Sequence, residues 1–77
     1  MELSKAQKIL LDVLRSLLMQ EEAITITMIA VKEPEKTEKL LEYIVEVTDK
    51  GEKLDKDKIV IRALEISDET DTMRQVI

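Results

Sequence analysis

Two kinds of side chain in this 77-residue sequence could take part in chemistry: hydroxyls near a lysine and paired carboxylates. Nucleophilic catalysis of the usual kind needs a Ser or Cys beside a basic group, and the chain contains neither Cys nor His. Ser4 and Lys8 are four residues apart, so a serine–lysine pair on one helix face is formally available. Because Ser4 also has the position of a helix N-cap, we assign it a capping role and predict no catalytic residue.

Paired carboxylates can act as an acid and a base when a pocket raises the pKa of one of them. Here we expect water around every pair, because each lies at the end of a predicted element or near the C-terminus, where a capping or solubilising role is usual. The pairs are Glu21 with Glu22, Asp55 with Asp57, and Asp68 with Glu69 and Asp71. The spacing at Asp55 and Asp57 lacks the Gly and the final bidentate Glu of a calcium loop. The sequence therefore predicts no enzyme, no cofactor and no metal site.

The composition describes one small acidic domain, with 44% apolar residues, 38% charged residues and a net charge of −5. Chains of this size have a small core and usually gain stability from disulfides, a metal or an oligomer interface. Because the chain has no Cys and no His, the remaining sources of stability are an oligomer interface and very good helix packing. The acidic balance disfavours nucleic acid as a partner. The longest apolar stretch is too short to span a bilayer, and no signal-peptide cleavage site follows it, so we expect no membrane association and a cytoplasmic location.

The first predicted helix carries more apolar surface than one neighbour would cover. Between residues 3 and 19, the apolar positions occupy an arc roughly 200° wide on a helical wheel, whereas a surface helix needs a stripe only somewhat wider than about 100°. This excess predicts burial on two sides, most simply against a second copy of the chain. Leu11 and Leu18 lie at the edge of the arc. Leu10, Leu14 and Leu17 lie nearer its centre, where they would serve the subunit's own core. The predicted interface residues are Leu10, Leu11, Leu14, Leu17 and Leu18.

Local signals set the ends of three predicted helices. Ser4 and Gln7 match a capping box, which predicts a helix over about 5–20. Pro34 suits the first turn of a helix over 34–48, and Gly51 suits a left-handed end after it. A third helix over about 56–66 follows from Asp55 as N-cap. Leu54 and Ile59 have the spacing of a hydrophobic staple around that cap.

The segment 23–31 is ambiguous between helix and strand. Four consecutive β-branched residues over 24–27 favour a strand, whereas Ile24, Met28 and Val31 fit one helix face. A lone strand needs a partner for its backbone groups, which a second subunit could supply; within one subunit we favour a helix. The predicted fold is mainly α: a compact bundle of three to four short helices, with 23–31 either a helix or a single strand pairing across a dimer.

These observations predict a single helical domain over 1–66 and a flexible acidic C-terminal tail over 67–77. The predicted function is a non-enzymatic protein–protein interaction or regulatory module that self-associates as a homodimer through an apolar helix, with another protein as a further partner. The alternative is a dimeric DNA-binding regulator of ribbon-helix-helix order, with strand 24–31 and helices 34–48 and 56–66. That alternative is weaker because Thr25 and Thr27 would face the bases, with no Arg, Lys, Asn or Gln beside them to read base edges.

Overall fold

The computed structural model describes the backbone of residues 3–76 and the side chains of residues 3–68. This part of the chain forms four helices and no strand: α1 (Lys5–Ser16), α2 (Glu21–Ala30), α3 (Pro34–Asp49) and α4 (Lys56–Val76). The mainly α prediction is confirmed. The strand alternative for 23–31 is wrong, because α2 occupies that segment. A helix satisfies its own backbone hydrogen bonds within one chain, whereas a lone strand cannot, and this outweighs the β-branched preference. The ribbon-helix-helix alternative needs a strand over 24–31, and the described part of the chain has a helix there.

Helix α1 begins as the sequence predicts. The Ser4 hydroxyl accepts a hydrogen bond from the Gln7 backbone N–H at 3.2 Å. In return, the Gln7 side-chain oxygen accepts one from the Ser4 backbone N–H at 3.0 Å. This reciprocal pair is the capping box, and it satisfies two backbone donors that the first turn leaves without partners.

The same helix ends at Ser16, so the predicted end near residue 20 is wrong. The Leu18 N–H donates to the Arg15 carbonyl at 2.9 Å, and the Met19 N–H donates to the Leu14 carbonyl at 3.4 Å. These bonds form a Schellman motif with Leu18 in the left-handed conformation, at φ +59°. Glycine usually occupies that position, so the sequence offered no stop signal there.

Helix α3 has the predicted start and ends within one residue of the predicted boundary. Pro34 is its first residue, where a missing N–H costs nothing. Gly51 follows the helix at φ +75°. Its N–H donates to the Thr48 carbonyl at 3.0 Å, while the Glu52 N–H donates to the Val47 carbonyl at 3.1 Å. The glycine that the sequence singled out therefore terminates α3 in a second Schellman motif.

Helix α4 starts at Lys56 as predicted but continues to Val76, beyond the predicted end at residue 66. Segment 67–76 contains no Gly or Pro that would stop a helix. The flexible acidic tail over 67–77 remains a prediction, because the side chains after residue 68 lie outside the described part of the chain.

Replacing Asp55 with alanine is expected to lower the free energy of unfolding by about 1 kcal/mol. The Asp55 carboxylate accepts the Asp57 backbone N–H at 2.9 Å, so it caps the first turn of α4. Leu54 and Ile59 both pack in the core on either side of this cap. Urea unfolding measures the loss, and Asp55→Asn is the matched control, since Asn caps equally well. Equal losses in both variants would contradict a capping role.

The four helices enclose one apolar core. Helix α4 packs on α2 and α3, and α1 packs on α2 and α3. Helix α1 is thus covered from two sides by its own chain, so most of its wide apolar arc is buried or partly buried without a second copy, and Ile9 stays half-exposed. The buried apolar side chains are Leu10, Leu14, Met19, Ile24, Val31, Leu40, Ile44, Ile59, Ala63 and Ile66.

Candidate interaction surface

The five leucines predicted to form an interface do not share one surface. Leu10 and Leu14 are fully buried in the core, so their assignment to an interface is corrected: they have no surface left for a partner. Leu11 and Leu17 are partly buried and pack against the same core. Leu18 lies in the turn after α1 and is 80% exposed. The helical wheel gave the wrong position for Leu18, because the predicted helix continued to about residue 20 whereas α1 ends at Ser16.

A different exposed apolar surface lies between α2 and α4. On this surface Ile26 is 47%, Ile29 64%, Ile61 56% and Leu64 45% exposed. They border adjoining grooves that share Ile26. We name this surface the α2/α4 groove; its apolar lining consists of Ala23, Ile26, Ile29, Ala30, Val60, Ile61 and Leu64.

The α2/α4 groove exists because α2 is apolar on more sides than the core can cover. The segment 23–31 holds nine consecutive residues without a charge, and a helix that is apolar all round is usually buried all round. Here Ile24 and Thr27 face the core, whereas Ile26 and Ile29 stay exposed. The uncharged run was the signal for this surface. The wide arc of α1 predicted uncovered apolar surface on that helix, and Ile9 there is 47% exposed. The larger uncovered apolar surface lies on α2, where Ile26 and Ile29 are 47% and 64% exposed.

The two ends of the α2/α4 groove carry opposite charges. Glu22 and Asp57 line one end. Lys32, Glu33 and Lys36 line the other end. There the Lys36 ammonium lies 3.8 Å from the Glu33 carboxylate, which offsets one of the two positive charges. The charge of Lys32 therefore makes this end of the groove positive.

The outer face of α3 differs from this surface in its charge. Leu41 and Val45 form a short apolar strip there, and Val45 is mostly exposed. Carboxylates surround the strip, and the nearby Lys50 ammonium is 3.7 Å from the Glu46 carboxylate. Two copies of this face would repel each other, because like charges would be brought together. The carboxylates are Glu38, Glu42, Glu46 and Asp49.

The residues considered for chemistry remain separate in the structure. Ser4 is exposed and engaged in the capping box. The described carboxylate pairs are exposed to water, whereas Glu69 and Asp71 lie beyond the described side chains. Among the described residues, no three Asp or Glu side chains are grouped so that they could hold a metal ion. No helix in the described part of the chain has the length and apolar character needed to cross a membrane.

No protein-family model, no curated protein and no solved structure matches this chain.

Proposed function

We propose that this chain is a non-enzymatic interaction module that forms a homodimer through the α2/α4 groove. The observation that carries this proposal is the set of four large apolar side chains exposed together on one face. Large exposed apolar patches with polar rims are typical of protein-binding surfaces. The dimer takes the place of the disulfides or the metal that stabilise other chains of this length.

Charge complementarity favours a second copy of the chain as the occupant of the groove. A two-fold axis parallel to the groove would bring its like-charged ends together. A two-fold axis perpendicular to the groove, within the interface, instead places the surface against itself in the reverse direction. The end with Glu22 and Asp57 then lies opposite the end with Lys32 of the other copy. The apolar middle of one groove meets the apolar middle of the other, and unlike charges meet at both rims. The same operation on the outer face of α3 would bring acidic side chains together.

Replacing Ile29 with glutamate is expected to convert the dimer to a folded monomer. Ile29 is the most exposed of the four apolar side chains, so a charge there stays in water in the monomer but must be buried without a partner in the dimer. We expect the wild type to sediment as a dimer at micromolar concentration and Ile29→Glu to sediment as a monomer. Circular dichroism should show the same helix content for both.

The matched control is Ile9→Glu, the same substitution at a half-exposed isoleucine on α1. This variant should remain a dimer. It also tests the α1 interface that the sequence predicted: dissociation of Ile9→Glu together with a stable Ile29→Glu dimer would move the interface to α1. A wild type that sediments as a monomer at high micromolar concentration would refute the proposed function.

A further inference from the structure

Leu18 combines a strained backbone with an exposed apolar side chain. Its φ of +59° lies in the left-handed region, which is unfavourable for a residue with a side chain because Cβ approaches the carbonyl oxygen. Its side chain is 80% exposed, so burial within the subunit does not compensate for the strain. Gly51 holds the equivalent position after α3 without this cost. The stability of the subunit alone would therefore favour glycine at position 18.

We infer that Leu18 is an anchor of the dimer, with its side chain inserted into the α2/α4 groove of the second copy. This inference rests on the proposed function, and it adds a residue outside the groove to the interface. Strained residues cluster at functional sites, where another interaction outweighs the strain. An exposed leucine held in such a conformation fits that pattern, because it gains burial only when a partner binds.

The position of Leu18 agrees with this role. Its carbonyl accepts a hydrogen bond from the Lys56 ammonium at 3.3 Å. Lys56 borders a recess that shares Ala23 and Asp57 with the groove. Met19, the residue after Leu18, borders the same recess. Leu18 therefore lies beside the acidic end of the α2/α4 groove of its own subunit.

Two-fold symmetry then brings Leu18 to the opposite end of the other subunit's groove. That end is a recess of about 450 Å³ with Ile29, Ala30 and Leu64 in its lining. The recess has room for a leucine side chain, and its apolar residues would contact that side chain beside Lys32, Glu33 and Lys36 at the same end. The Schellman hydrogen bonds and the Lys56 contact already fix the Leu18 backbone. Little backbone conformational entropy is then lost when the anchor binds, which strengthens association.

Replacing Leu18 with glycine should change stability and association in opposite directions. Removing the strain raises the melting temperature of the monomer by about 4 °C, measured at a concentration well below the dissociation constant. Removing the buried side chain from both copies raises the dissociation constant of the dimer roughly 100- to 10,000-fold. Leu18→Ala keeps the strain and removes most of the anchor, so it should weaken the dimer without raising the melting temperature. Ile9→Ala serves as the truncation control and should leave the dissociation constant unchanged.

The outcomes separate this inference from the proposed function. A wild-type monomer at high micromolar concentration refutes the dimer itself. If the wild type dimerises and Ile29→Glu does not, but Leu18→Gly keeps the wild-type dissociation constant, the groove stands and the anchor is refuted. A Leu18→Gly monomer that melts below the wild-type monomer refutes the argument from strain. A higher melting temperature combined with weaker association supports the anchor, because a residue with a structural role alone would not change both in this way.

Discussion

Replacing Leu14 with glutamate is expected to abolish cooperative folding of the chain. Leu14 is fully buried in the core, and a glutamate there would place a charge among apolar side chains without a partner. Loss of the leucine packing alone costs about 2–5 kcal/mol. Small domains have a total stability of about 5 kcal/mol or little more, so the added charge should exceed what remains. Circular dichroism with urea titration should show no cooperative transition.

The control for this prediction is Leu18→Glu, the same substitution four residues further along the chain. On a continuous helix, Leu18 would lie only about 40° from Leu14, at the edge of the apolar arc. In the structure, α1 ends at Ser16 and Leu18 is exposed. We therefore expect Leu18→Glu to fold as a monomer. A folded Leu14→Glu variant would contradict the core described here.

Replacing Thr37 with valine should lower the free energy of unfolding by about 1–3 kcal/mol. Thr37 is fully buried, and its hydroxyl donates to the Val31 carbonyl. This hydrogen bond joins the end of α2 to the first turn of α3. Valine has a similar shape but no donor, so the buried Val31 carbonyl would lose this partner without regaining water. Urea unfolding measures the loss.

Thr27→Val is the matched control, because Thr27 is as deeply buried as Thr37. Its hydroxyl donates at 2.8 Å to the carbonyl of Ala23, four residues earlier in the same helix. That carbonyl also accepts the regular helical bond, so it keeps a partner when the hydroxyl is removed. We expect a change of less than about 0.5 kcal/mol. Equal losses at positions 27 and 37 would show that the link between α2 and α3 is not the cause.

Features that depend on a few neighbouring residues could be predicted from the sequence. The capping box of Ser4 and Gln7, the start of α3 at Pro34, the stop at Gly51 and the cap at Asp55 were all predicted and are present. Each rests on hydrogen bonds or backbone conformations within one helical turn, so distant parts of the chain cannot alter it much. The mainly α class follows from the same signals together with the spacing of the apolar residues.

Three features depend on how the helices pack and could not be predicted from local signals: the state of 23–31, the end of α1 and the apolar face that stays exposed. The β-branched residues of 23–31 suit a strand only where another strand pairs with them, and in this subunit α4 packs against the segment instead. Helix α1 ends at a left-handed residue that is a leucine rather than the usual glycine, Leu18. Helices α2 and α3 cover most of the apolar arc of α1 and leave Ile9 half-exposed, while Ile26 and Ile29 on α2 remain exposed beside α4. The amount of apolar surface on a helix can be read from the sequence. How many other helices cover that surface depends on how the chain packs.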